Sequence, residues 1–76
     1  MAKKKTKHKI QNKIRTLRFM NDEMSQQALA EQVNVTRQTI MAIEKGKYSP
    51  TLELAFKIAM VFGVPLHEVF SYEEEN

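Results

Sequence analysis

An all-α domain of five short helices is the fold this sequence predicts, and three stretches predict it. Met24 to Gly46, MSQQALAEQVNVTRQTIMAIEKG, holds two capped amphipathic segments joined by a tight turn. Leu52 to Phe62, LELAFKIAMVF, is apolar nearly all round and has helix punctuation at both ends. Ile10, Ile14, Leu17 and Met20 recur at the i, i+4, i+7, i+10 spacing of one helical face. The body is expected over residues 10–70, between a basic flexible arm at 1–9 and an acidic tail at 71–76.

Residues 1–9, MAKKKTKHK, hold five lysines and no apolar periodicity, so they repel one another and are read as disordered. From Ile10 the apolar stripe marks the first helix, which ends near Asn21-Asp22-Glu23. Ser25 is the N-cap of the second, and Met24 before it is placed to staple onto Leu29. Leu29 and Val33 stack one turn apart, while Ala28 and Ala30 leave room for a neighbouring helix. Asn34, which tolerates the left-handed conformation, ends it. Thr36 repeats the cap for the third helix, with Val35 ready to staple onto Ile40 and Gly46 as the left-handed stop.

Ser49-Pro50-Thr51 opens the fourth helix with an N-cap and a proline at the first helical position, where its missing N–H costs nothing. Leu52, Ala55, Ala59 and Phe62 make one apolar stripe, Leu54, Ile58 and Val61 a second, and Phe56 and Met60 are left for a third surface. Gly63 stops the helix. Pro65 starts a short fifth helix through Leu66, His67, Glu68 and Val69, after which Phe70-Ser71-Tyr72 alternates large and small residues as a strand does.

Size and composition bound the rest. Seventy-six residues make one domain with a marginal core, so an oligomer interface is an expected supplement. There are no cysteines, which removes disulfides and thiolate chemistry, and no apolar run approaches membrane-spanning length. A cytoplasmic protein with no membrane association is expected. The net charge is +3, but the lysines cluster at the start, Glu73 to Glu75 close the chain and the body between is near neutral. Attraction to nucleic acid would therefore come from the arm and from local placement. His8 and His67 each lack a second ligand nearby, so no metal site and no cofactor is expected.

The third helix divides by face. At about 100° per residue, Ile40 and Ile43 mark a docking side, while Gln38, Met41, Ala42 and Lys45 point away and Arg37 flanks them. That outer face offers a cationic fork, a carboxamide, a thioether and a methyl, which suit base edges in a major groove. Ser25-Gln26 with Leu29-Ala30, then Val35-Thr36-Arg37-Gln38-Thr39-Ile40, then Ile43-Glu44-Lys45-Gly46 resembles the helix-turn-helix of the phage repressor and Cro-type (Xre family) transcriptional regulators. The wider resemblance runs from about Ile10 to Phe70.

The resemblance implies a compact five-helix, lambda-repressor-like domain that binds double-stranded DNA. In it Arg37 and Gln38 are the main base readers, Met41 and Ala42 make apolar contacts to bases, and Gln26, Thr36, Thr39, Lys45 and Lys47 meet phosphates, with Tyr48 offering its hydroxyl for the same purpose or its ring for packing. An arginine of the first helix is expected to pair with Glu44, which sits near the docking side and needs a partner if partly buried. Arg18 is the expected partner and Arg15 the fallback. The connection from Arg18 to Met24 is about one residue longer than the usual family spacing, so that loop is expected to bulge. In some relatives the two chain ends pair, which makes the segment around Lys7 to Ile10 the partner for a strand at Phe70 to Tyr72; a frayed tail is the alternative.

Two other function classes compete. An enzyme is not expected, because the chain has no glycine-rich phosphate loop, no paired histidines and no cysteine. A protein-interaction module of the antitoxin or adaptor kind is the serious rival, using the face opposite the third helix. For the regulator, surplus apolar surface on the fourth helix and after it predicts a homodimer, with Leu66 and Phe70 in the interface and Ser49 and Pro50 at its rim. Such a dimer would read a palindromic operator and act as a repressor.

Overall fold

The computed structural model describes the backbone of residues 7–75 and the side chains of residues 10–72. In chain order the elements are β1 (Lys7–Asn12), α1 (Ile14–Met20), α2 (Gln26–Gln32), α3 (Arg37–Glu44), α4 (Leu52–Phe62), α5 (Leu66–Val69) and β2 (Phe70–Glu75). Five helices form the body, and the two strands pair antiparallel with Asn12 opposite Phe70 and Ile10 opposite Tyr72.

Lys7 to Lys9 belong to β1 and Ser71 to Glu75 to β2, while the rest of the arm, residues 1–6, lies outside the described residues. The register sets Lys7 opposite Glu75 and Lys9 opposite Glu73. Ile10 is consequently a strand residue and not the start of the first helical stripe. It is 38% exposed, whereas Ile14, where α1 begins, is fully buried. Met20, at the other end of the stripe, is the last residue of a seven-residue helix and is exposed.

The caps follow side-chain chemistry. Ser25 Oγ accepts from the Ala28 N–H at 2.9 Å and Thr36 Oγ1 from the Thr39 N–H at 3.2 Å. At α4 the cap is Thr51, whose Oγ1 accepts from the Leu54 N–H at 3.1 Å. Ser49 and Pro50 therefore precede the helix instead of starting it, because Thr51 is the residue with extended backbone and an acceptor in reach.

Four connections end alike. In each, a left-handed residue lets the following N–H reach back to a carbonyl of the last turn. After α2 it is Asn34 (φ 62°), with Val35 N–H donating to Ala30 O at 2.9 Å. After α3 it is Gly46 (φ 76°), with Lys47 N–H donating to Ala42 O at 2.9 Å, and after α4 it is Gly63 with Val64 N–H on Ala59 O at 3.2 Å. After α1 two consecutive residues, Asp22 (φ 60°) and Glu23 (φ 55°), take this conformation before Met24 N–H donates to Arg18 O at 2.9 Å. The long connection is thus taken up in the loop, and α1 keeps its seat.

The core is Ile14, Leu29, Ile40, Ile43, Ile58 and Val69, all fully buried, together with buried Ala30 and Ala59. No polar or charged residue is fully buried among the described residues. On α4, Leu54, Ala55, Ile58 and Ala59 face inward, whereas Leu52 (66% exposed) leaves its expected stripe and joins Phe56 and Met60 on an outer apolar face at i, i+4, i+8 spacing.

Candidate nucleic-acid interface

α3 is anchored by one side and open on the other. Ile40 and Ile43 are buried, and Thr36 with Thr39, whose hydroxyls lie 3.0 Å apart, closes its N-terminus. Arg37, Gln38 and Lys45 are exposed, and Met41 and Ala42 are half-buried between them. The outer face expected from the spacing is therefore presented to solvent as a continuous strip.

Beneath its C-terminal end lies a polar network. Arg18 Nε donates to Glu44 Oε2 at 2.7 Å and Arg18 Nη2 donates to Glu44 Oε1 at 3.2 Å, a fork-on-fork pair. Arg18 Nη1 donates to the Met24 carbonyl at 2.8 Å, and Gln26 Nε2 donates to Glu44 Oε1 at 3.1 Å. Glu44 is thus satisfied by α1 and α2 together. No buried side-chain polar atom among the described residues is left without a partner. Arg15, the fallback partner, is not used.

The consequence is a division of charge. Arg18 is neutralised by Glu44, while Arg15, Arg37 and Lys45 line the same open concavity, of about 660 Å³, with Ser25, Gln26, Gln27 and Met41. Those three cations have no ion-pair partner among the described residues. A rim of free positive charge around a neutral floor attracts an anion chain without spending the fold's own ion pair.

Residues 20–69, which contain α2, its turn and α3, match the family profile described as helix-turn-helix. The chain belongs to the helix-turn-helix family of DNA-binding transcriptional regulators. It is 48% identical over 67 residues to an uncharacterized HTH-type transcriptional regulator of Methanocaldococcus jannaschii, covering 88% of this chain and all of the relative. It is 42% identical over 65 residues to the cryptic phage CTXphi transcriptional repressor RstR of Vibrio cholerae, covering 86% of this chain and 58% of RstR. A crystal structure from Bacteroides fragilis, named as a candidate DNA-binding protein, superposes with a TM-score of 0.70 at 22% identity over 82% of this chain and 98% of its own. That likeness carries the fold alone.

The remaining residues of the helix-turn-helix domain separate into two places. Lys47 and Tyr48 are exposed in the exit from α3. Leu66 and Phe70 are half-buried against the core, Pro50 is half-buried and Ser49 exposed. Pro50, Leu66 and Phe70 line a shallow apolar hollow with Ile10, Leu52 and Ala55, and a second hollow adds Tyr72. His67 is exposed, and no cluster able to hold a metal occurs among the described residues. No described helix is long and apolar enough to cross a membrane.

One residue of consequence escaped the sequence reading. Asn12 Oδ1 accepts from the Ile14 N–H at 3.1 Å, while Asn12 Nδ2 donates to the Ile43 carbonyl at 3.0 Å, 31 residues away. An asparagine just before an apolar stripe is a helix-start signal that would have found the first bond. Nothing in sequence spacing points to the second.

Proposed function

We propose that this protein is a sequence-specific double-stranded DNA binder of the cytoplasm that represses transcription, reading a palindromic operator as a homodimer. The observation that carries this is the solvent-facing strip of α3, Arg37, Gln38, Met41, Ala42 and Lys45, held by buried Ile40 and Ile43 above the Arg18–Glu44 pair. Arg37 would take O6 and N7 of a guanine, and Gln38 N6 and N7 of an adenine, with Met41 and Ala42 against thymine methyls. Gln26, Thr36, Thr39, Lys45, Lys47 and Tyr48 would hold phosphates. Gln26 keeps a second amide hydrogen for that purpose beside the one given to Glu44.

Repression is supported by the relative named as a transcriptional repressor. Dimerisation is supported by the apolar hollow that Leu66 and Phe70 line with Pro50 and exposed Leu52, and Ser49 lines a neighbouring hollow with Pro50 and Phe70. A two-fold axis there would present two copies of α3, and successive major grooves would set their separation at about 34 Å, or about 10 base pairs between half-sites. A protein-interaction role is the second reading. It is favoured by Phe56 and Met60 (77% exposed), apolar residues on the outer face of α4 that line no part of the cationic concavity.

Selecting bound sequences from a random duplex library tests the proposal. A recovered palindrome is expected; no enrichment would leave the interaction module standing instead.

A further inference from the structure

Apolar packing holds α3 against the body and confines its crossing angle to within about 15–20°, and directional contacts narrow it further. Two groups supply them near the C-terminal end of α3: the Glu44 carboxylate, tied to Arg18 and Gln26, and the backbone carbonyl of Ile43, tied to Asn12. The last carbonyls of a helix have no partner within it, so they are free to accept from outside. Ile43 O accepts both from Gly46 N–H at 3.0 Å and from Asn12 Nδ2 at 3.0 Å, and Glu44 O lies 3.5 Å from the same nitrogen. Asn12 is therefore clamped to the backbone of the reading helix, not to a side chain that could swing.

Its other connections lead elsewhere. Asn12 stands opposite Phe70 in the strand ladder, and Lys13 N–H donates to Val69 O at 2.9 Å. Its Oδ1 meanwhile holds the first N–H of α1. One residue thus joins three elements: its side chain ties the start of α1 to the end of α3, and its backbone lies in the ladder opposite Phe70. Phe70 and Ile10, on either side of that corner, line the apolar hollow assigned above to a second copy of the chain.

We infer that Asn12 is a positioning residue for operator recognition: it fixes the angle of α3 relative to the dimer face and so sets which half-site spacing the two copies accept. It touches no base. The inference rests on the dimer reading of the hollow, and its test separates the two.

Asn12→Asp and Asn12→Ser each keep an oxygen able to hold the Ile14 N–H, but the ionised Asp has no proton to donate to Ile43 O, and the Ser hydroxyl, one bond shorter, does not span both partners as the amide does. Affinity would be measured for one half-site duplex and for palindromes whose half-sites are moved apart or together one base pair at a time. Both variants should bind the single half-site within about twofold of the parent, while the preference for the best spacing over its neighbours falls about tenfold, the equivalent of one lost hydrogen bond. Undiminished spacing preference in both folded variants would overturn the role of Asn12 alone, and so would an equal loss on the half-site and the palindromes. If the unaltered protein shows no spacing preference, the dimer reading itself fails and takes the inference with it. Should neither variant fold, the Asn12 side-chain amide protons of the unaltered protein decide: exchange slower than that of exposed Gln38 is expected, and exchange as fast as Gln38 would overturn the clamp.

Discussion

The guanidinium of Arg18 and the carboxylate of Glu44 meet at 2.7 Å with only 15% and 10% of their side chains exposed, joining α1 to the end of α3. A pair this enclosed is costly to form and costlier to break, since removing one partner leaves the other charge poorly hydrated. Arg18→Ala is expected to lower stability by about 2 to 4 kcal/mol, below the range for a fully buried pair because some solvent screening remains. Replacing both residues by apolar ones of similar volume should recover most of that loss. Urea melts of the two single variants and the double variant check this; additive losses in the double variant would mean that the pair does not act as a unit.

Leu29 and Ile40 are fully buried where α2 and α3 join the core. Truncating either to Ala is expected to cost on the order of 2 to 5 kcal/mol. That is a large share of what a domain this small possesses. A melt like that of the parent would show that the side chains are not packed as described.

Asn34 occupies the left-handed turn between α2 and α3 at φ 62°. Asn34→Gly should be close to neutral, whereas Asn34→Val should destabilise by about 1 to 2 kcal/mol, because a branched side chain clashes with the following carbonyl there. Thermal unfolding of the two variants, compared with one another, reads the backbone cost with little change in contacts. Equal stabilities would argue against the left-handed turn.

Arg37 and Lys47 should fail differently. Arg37→Ala is expected to relax the choice of base at one position of each half-site, worth roughly 1 to 3 kcal/mol of discrimination. Lys47→Ala should weaken binding to all sequences alike and lower the salt slope by about one. Binding titrations on matched and mismatched duplexes at several salt concentrations separate the two patterns, and an unchanged preference for Arg37→Ala would remove α3 from the role of reader.

The dimer prediction is best tried at two positions. Leu66→Glu is expected to give a monomer with much weaker operator binding, but Leu66 also packs on the core. Leu52→Glu avoids that difficulty, since Leu52 is exposed and can change without opening the core. Sedimentation at micromolar concentration should find a dimer for the parent and a folded monomer for Leu52→Glu; a parent that sediments as a monomer and occupies a single half-site would end the symmetric scheme.

Local chemistry alone made the helical body legible. Ser25 and Thr36 cap because a short hydroxyl reaches the first turn, Asn34, Gly46 and Gly63 stop helices because they accept a positive φ, and Ile40 and Ile43 bury because they share one side of a 3.6-residue turn. All of these are interactions within a few residues, and their spacing is visible along the chain. What needed the folded molecule was every relation between distant segments. Ile10 sits at helical spacing from Ile14 yet pairs in a strand, because a distant partner, Tyr72, was available to it. Leu52 lies outside the core because α4 has only so many neighbours to face. Arg18, rather than Arg15, reaches Glu44 because two left-handed residues absorb the long loop without turning α1. Asn12 reaches the carbonyl of Ile43 because the β1–α1 corner lies beside the end of α3, and a backbone acceptor carries no residue type by which a sequence could announce it.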